Sequence, residues 1–241
     1  MTPTIELLRN HTSIRHFTSQ AISAELREAI LAAAQATSSS SFLQLVSLVR
    51  ISDPSVRSRL AALAGEQPYV ASAAEFWVFC ADLARNQRIA PQAKLGFAEQ
   101  LLMGCIDTAL MAQNALTAAE SLGLGGVFIG GIRNAPQEVT ELLALPEQVL
   151  PLFGLCLGYP AEQPERKPRL PLALWLHEER YPEALDEPLL AEYDVTMRHY
   201  YAARSHNTKQ QDWSGQVTAI LSKESRPFML AYLQRQGFIL R

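Results

Sequence analysis

No two cysteines in this sequence stand at a ligating or redox spacing. Cys80, Cys105 and Cys156 are far apart, each in an apolar run, so neither a CxxC motif nor a zinc site can be drawn and all three read as reduced core thiols. Net charge is also small, with 21 Lys+Arg against 24 Asp+Glu, which excludes a global basic field for nucleic acid or an anionic membrane. Any anion site must therefore be local. No uncharged run reaches membrane-crossing length, and the opening MTPTIELLRN carries Glu6 where a signal peptide would be basic and then apolar. The expectation is a cytoplasmic protein with no membrane or nucleic-acid partner. H-E-x-x-H, G-x-S-x-G and P-loop motifs are missing. His11, His16, His177, His199 and His206 show no metal spacing, and the acids form no catalytic pair. With no metal and no side-chain nucleophile expected, the chemistry falls to a cofactor.

What is present describes a globular chain of 241 residues, 48% hydrophobic, enough for one large domain or two small ones. Helical spacing with capping residues marks TPTIELLRN, SAELREAILAAAQAT, PQEVTELLAL, EPLLAEYDVTMRHYYAAR and WSGQVTAILSKES. Strand composition marks LQLVSLVRIS, EFWVFCAD, GVFIGGI and LPLFGLCLGYP. The longest helix is predicted from about Phe97 to Leu122, with an apolar and small-residue stripe through Leu101, Leu102, Cys105, Ile106, Ala109, Leu110, Ala112, Gln113, Leu116 and Ala119. Such a helix belongs at the centre of a fold or in a subunit interface. Elements do not alternate as βαβ, so the class is α+β with helices in excess.

SLGLGGVFIGGIR, residues 121–133, holds five glycines. A dinucleotide fingerprint would need G-x-G-x-x-G between a strand and the helix it opens. Here the order is helix, glycines, strand, and counting from Gly123 the sixth residue is Phe128. Gly123 to Gly126 read as a helix stop and tight turn. Gly130 and Gly131 interrupt an otherwise good strand, which implies either a bulge or something approaching the backbone closely, such as a planar ring.

Two cationic clusters could serve a local anion. HTSIRHF sets His11, Ser13 and Arg15 at alternate positions after a helix, a donor set that suits phosphate. KPRLP holds Lys167 and Arg169 between prolines. Read alone, the first is more often a solvated helix end and the second a linker. The same holds for Ser38 to Ser41, a low-complexity link or a group of hydroxyl donors.

Taken together, MTPTIELL, IRHFT, ATSSSSFLQ, AAEFWVFCAD, AAESLGLGGV, LPLFGLCLG, KPRLP and KESRPF make a chain that resembles, over its whole length, the oxygen-insensitive NADPH nitroreductases of the major bacterial type and the related NADPH flavin reductases. The resemblance implies an α+β nitroreductase-like fold with a mixed central sheet flanked by helices and a long central helix. It implies one FMN-binding domain over residues 1–241, an intertwined homodimer, and a mobile NADPH-recognition loop near 203–211. Matching positions for FMN are His11, Thr12, Ser13, Ile14 and Arg15, then Ser39, then Gln67, Pro68 and Tyr69. They continue with Phe128, Ile129, Gly130 and Gly131, so that the second glycine pair lies along the ring edge, and end with Lys167, Pro168 and Arg169. Arg204 and Lys209 match the loop that grips the NADPH 2′-phosphate. Ser41, Phe42, Lys223 and Arg226 border the substrate pocket, where the acceptor takes the place that NADPH leaves.

The implied activity is two-electron, ping-pong hydride transfer from NADPH to nitroaromatic compounds or quinones, with chemistry at FMN N5. Two residues depart from the family pattern. Thr12 stands where relatives commonly have Arg, and the recognition loop has Lys209 where relatives carry more arginine. A lysine is a point charge rather than a fork, which predicts a weaker NADPH preference. The alternatives are a reductase of free FMN, and a flavin-binding protein without turnover. The basic loop from Arg204 speaks against the latter.

Overall fold

The structure is a computed structural model that describes residues 1–204 and 210–240. They form two compact units. The first comprises residues 1–164 and 226–241, and the second residues 165–225.

The first unit opens with α1 (Pro3–Arg9), capped by the Thr2 hydroxyl, and α2 (Ala24–Gln35), capped by Ser23. Then follow β1 (Val46–Arg50), α3 (Pro54–Leu63), α4 (Pro68–Ser72), β2 (Glu75–Asp82), α5 (Ala84–Ile89) and α6 (Ala98–Ser121). After these come β3 (Gly125–Ile129), α7 (Pro136–Leu142) and β4 (Val149–Gly158). The second unit holds α8 (Glu187–Ala203) and α9 (Trp213–Leu221). The chain re-enters the first unit with α10 (Met229–Arg235), stopped at Gly237 with φ +81°.

The four strands form one sheet in the order β1-β2-β4-β3, antiparallel at every pairing. The mixed sheet implied by the resemblance is thus corrected for the described residues. The β1–β2 and β3–β4 connections return the chain to the end of the sheet it left, with Arg50 opposite Trp77 and Ile129 opposite Gly154, whereas β2 and β3 both oppose β4 and run the same way, so the connection through α6 crosses to the other end. β2 is buried along its whole length. Phe76, Val78 and Cys80 enter one core with Leu60, Ile129 and Val139. Trp77 and Phe79 enter the other, with Ile30, Ala112, Ala115 and Leu116. A strand covered on both faces reads as a continuous apolar run, as EFWVFCAD does.

The long helix α6 lies where the apolar pattern predicts, but with a different inner face. Gly104, Asp107, Thr108, Ala112, Ala115, Leu116 and Ala119 are buried. Leu102, Ile106 and Leu110, expected in the same stripe, are 56%, 57% and 44% exposed. Small residues win the inner face because the backbone lies close to the sheet. A Cβ added at Gly104 would stand 3.0 Å from the Ala81 Cβ.

Glu75 ties three elements at the sheet's end. Its carboxylate accepts from Arg50 Nε at 2.6 Å and Nη2 at 2.8 Å, from Trp77 Nε1 at 2.9 Å and from Arg27 Nη1 at 3.1 Å. Burial alone would raise its pKa, but these bonds, led by Arg50, outweigh it and leave it lowered. A carboxylate with a depressed folded pKa contributes stability that is fully present above its ordinary value of 4.5 and is lost as pH falls through the lower folded value. Glu75→Gln is expected to cost about 3 kcal/mol at pH 7 by leaving two guanidinium groups uncompensated. It should also flatten the acid limb of stability below pH 4.5, as urea midpoints across that range would show.

Candidate functional site

The loop after α1 is fastened from below, leaving its cations on the surface. The Ile14 amide donates to Gly126 O at 3.0 Å, and the Ile14 side chain is buried. Its Cγ1 would stand 2.5 Å from a Cβ added at Gly125, so Gly125 is glycine to admit Ile14. Two carboxylates complete the anchoring. Glu162 Oε1 accepts from the amides of Arg15 at 2.6 Å and His16 at 3.0 Å. Glu120, near the end of α6, pairs with His11 Nδ1 at 2.6 Å, which leaves Nε2 as the imidazole nitrogen for a ligand. Arg15 is exposed, and among the described residues no carboxylate pairs with its guanidinium; Nη1 reaches only Ser13 O at 3.5 Å. An unpaired guanidinium fork, an imidazole nitrogen and the neighbouring Ser13 and Thr12 hydroxyls fit a phosphate.

The serines at 38–41 form a built loop rather than a link. Asp107 of α6 is buried, 1% exposed, and no ion pair among the described residues involves it. Its oxygens accept from Ser39 Oγ at 2.7 Å, Ser40 N at 2.9 Å and Leu45 N at 3.5 Å. Ser39 Oγ in turn accepts from Gln44 N at 2.7 Å. Ser41, Phe42 and Gln44 all hold left-handed backbone, φ 48°, 55° and 54°, a conformation that costs non-glycine residues about 1–3 kcal/mol each unless the surroundings fix it. Phe42 is thereby held outward, 78% exposed. A cavity of about 290 Å³ lies here, lined among others by Ser38, Ser39, Phe42, Arg85, Ile89 and Asp107.

Gln67 and Tyr69 meet the second glycine pair. Tyr69 OH donates to Gln67 Oε1 at 2.6 Å, and Gln67 Nε2 donates to Ala64 O at 2.5 Å. Pro68 starts α4, whose far end is held by half-buried Arg57 donating to Val70 O at 3.2 Å and Ala73 O at 2.5 Å. β3 ends at Ile129, and Gly130–Asn134 is a 3₁₀ turn, so the strand expected to run through the glycines is corrected. A Cβ at Gly131 would collide with Ala64 O and Gln67 Nε2, so it is the chain's own α3–α4 corner that presses on this backbone. Gly130 faces only the guanidinium of Arg133, at 3.3 Å. Phe128 is partly exposed and meets Phe153 edge-on at 5.4 Å. Arg226 donates from Nε at 3.1 Å and Nη2 at 2.7 Å to Asn134 Oδ1, at the end of the same turn. The first glycine group divides likewise. Gly123, φ +79°, stops α6, whereas Gly125 and Gly126 are strand residues and not part of the turn, since a Cβ at Gly126 would stand 2.6 Å from Cys156 O.

In the second unit, α8 supports the KPRLP segment. Tyr193 OH donates to Pro168 O at 3.0 Å, and Lys167 Nζ lies 5.1 Å from the Tyr201 ring centroid. Leu170 packs on Tyr193, Met197 and Tyr201. Arg169 is exposed, and Arg204 lies over Tyr200 at 5.7 Å. Lys223 is exposed beyond α9. Lys209 lies outside the described residues.

Cys80 and Cys156 are buried, and Cys105 is half-buried. Burial raises all three thiols, Cys80 to about 12, which fits inert core residues. Among the described residues there is no cluster of metal-ligating side chains, and no helix is long and apolar enough to cross a membrane. Sequence reasoning missed Asp107, Glu120, Glu162, Arg57 and Arg133. Only Asp107 carried a usable signal, as a lone acid between small residues at helical spacing.

Residues 8–159 match the model of the nitroreductase family, and residues 167–241 that of the nitroreductase family C-terminal domain. The chain is similar to an oxygen-insensitive NADPH nitroreductase of Salmonella typhimurium, 59% identical with both chains fully covered. It is also similar to the solved structure of nitroreductase A from Vibrio parahaemolyticus, with TM-score 0.96, 50% identity and full coverage of both chains. The NADPH:FMN oxidoreductase of Vibrio harveyi complexed with NAD+ is likewise similar, with TM-score 0.94, 48% identity and full coverage of both chains.

Gly131→Ala is expected to destabilise the protein by about 1–3 kcal/mol, because a backbone carbonyl cannot swing away as a side chain can. Gly130→Ala, whose Cβ would stand 3.3 Å from the Arg133 guanidinium, a side-chain end that need give by only a few tenths of an ångström while it donates to Leu152 O, should cost less than about 1 kcal/mol. Urea unfolding of the two variants side by side checks the contrast.

Proposed function

The chain belongs to the nitroreductase family, and on that premise we propose that it is an FMN-dependent NADPH oxidoreductase acting on nitroaromatic compounds and quinones. The observation that carries this reading is the conjunction of full-length similarity to an NADPH nitroreductase with a phosphate-type donor set, His11, Ser13 and Arg15, fastened by acids that leave the guanidinium unpaired. Bound FMN would supply hydride acceptance from NADPH and two-electron delivery to the acceptor.

The chain's own residues then bind and orient. His11, Thr12, Ser13 and Arg15 take the phosphate, with the buried Ile14 fixing their backbone. Because the single Ser39 proton is directed to Asp107, Ser39 serves an FMN oxygen only through its backbone or as an acceptor. Gln67, Pro68 and Tyr69, with Phe128 and the backbone of Ile129, Gly130 and Gly131, line the ring. Lys167 and Arg169, held on α8 with Pro168 between them, supply fixed positive charge for an anionic cofactor. Arg204 and Lys209 recognise the NADPH 2′-phosphate, and Ser41, Phe42, Lys223 and Arg226 border the acceptor. The outward face Leu102, Ile106 and Leu110 is the surface we assign to a homodimer, since an aliphatic row of that size is otherwise left in water. We place the protein in the cytoplasm. Reduction of free FMN is the second reading, favoured by similarity to the Vibrio harveyi enzyme.

An anaerobic visible titration tests the proposal. Purified yellow protein should bleach with NADPH and regain its colour on addition of a nitroaromatic. Protein that stays colourless after incubation with FMN refutes it, and relative rates with nitroaromatic and free FMN separate the two readings. Arg15→Ala should weaken FMN binding about 10- to 100-fold, the worth of a hydrogen bond to a charged group, as fluorescence titration of the apoprotein would show. Arg204→Ala should raise KM for NADPH several-fold more than KM for NADH. Equal changes would remove the 2′-phosphate role.

A further inference from the structure

We propose that Asp107 is the positioning residue of the acceptor pocket, holding the serine loop in the strained form that presents Ser41 and Phe42 outward. The inference rests on the pocket reading given above for Ser41 and Phe42. Nothing in the reaction calls for a carboxylate at Asp107.

Its place is nevertheless demanding. A buried acid on a helix whose inner face is otherwise Gly104, Thr108, Ala112 and Ala115 would be costly if its oxygens lacked partners. Among the described residues, all of its hydrogen-bond partners come from one segment. Ser39 Oγ–H and Leu45 N–H converge on Oδ2, and Ser40 N–H meets Oδ1. The Ser39 oxygen then takes the Gln44 amide, so one carboxylate reaches both ends of the segment that includes Ser41, Phe42 and Gln44. Those three residues have φ values that L-residues avoid, and the hydrogen bonds on either side leave the intervening backbone few other routes. α6 is seated on the sheet core, so the loop takes its position from the same helix that buries Ala112 and Leu116.

The geometry also says why an amide cannot replace the acid. In Asp107→Asn one oxygen becomes an NH2 group. If that group stands at Oδ2 it faces the Leu45 N–H, and if it stands at Oδ1 it faces the Ser40 N–H. Either arrangement sets donor against donor.

The test uses full-length protein and two readouts. Hydrogen exchange in the FMN-free protein should show the Ser40, Gln44 and Leu45 amides exchanging at least 10-fold faster in Asp107→Asn, with protection in β2 unchanged. In the FMN-loaded enzyme, KM for 4-nitrobenzamide should rise about 10-fold while the limiting stopped-flow rate of flavin reduction at saturating NADPH changes less than 2-fold. In the FMN-free protein Ser39→Ala, which removes the bridge to Gln44 but leaves Asp107 in place, should speed exchange of the Gln44 amide by a smaller factor, and Ser39→Thr should restore wild-type exchange. If Asp107→Asn fails to fold, the Ser39 pair decides the matter. Unchanged exchange at these amides, or equal loss in both half-reactions, overturns the proposal. Should the wild type fail to oxidise NADPH with a nitroaromatic, the function reading falls, while the exchange data still show whether Asp107 holds the loop.

Discussion

The close seating of α6 on the sheet is the constraint from which the rest of the first unit takes its geometry. Gly104, Ala112, Ala115 and Ala119 have little or no side chain to hold the helix away, so it rests on Trp77, Phe79, Leu155 and Leu157. Being rigid and fixed, it can carry two acids to separate places. Asp107 and Glu120 are separated by roughly 20 Å of helix at about 1.5 Å per residue. One addresses the serine loop and the other the imidazole of His11. A helix standing further out on larger residues would leave both acids short of their partners.

The acids around the candidate site share a habit. Asp107 and Glu162 accept from backbone amides, and Glu120 from an imidazole, so the anionic groups are spent on fixing the chain. The guanidinium of Arg15 keeps its charge for something else. Glu75 does the reverse, with its one carboxylate engaged by the guanidinium groups of two arginines, as suits a purely structural tie. Which atoms an acid engages, backbone or guanidinium, separates the part of the molecule that recognises an anion from the part that merely holds together.

Much of this was legible in the sequence. The apolar run EFWVFCAD declared a central strand, the caps at Thr2 and Ser23 declared helix starts, and the long helix fell within a residue or two of its expected ends. The inner face of that helix was not legible, because hydrophobicity ranks Leu102 and Ile106 above Gly104 and Asp107, whereas close packing selects for size. The glycine pair was half legible. Its closeness to other atoms was foreseen, but composition could not tell an approaching ring from the chain's own Ala64 carbonyl. The strand directions and the acids at 107, 120 and 162 depend on residues far apart in the chain, which local pattern does not encode.

The chain leaves the first unit at residue 164 and returns at 226. On its return Gln236 O accepts from the Gln148 amide, Phe238 is buried, and the Leu240 amide donates to Gly96 O. During synthesis these residues emerge after Gly96, Gln148 and Leu150, against which they pack. The first unit cannot close its core around Leu150 and Tyr232 until the segment carrying Tyr232 and Phe238 has been made, and until then the nascent protein offers an open apolar seam to chaperones.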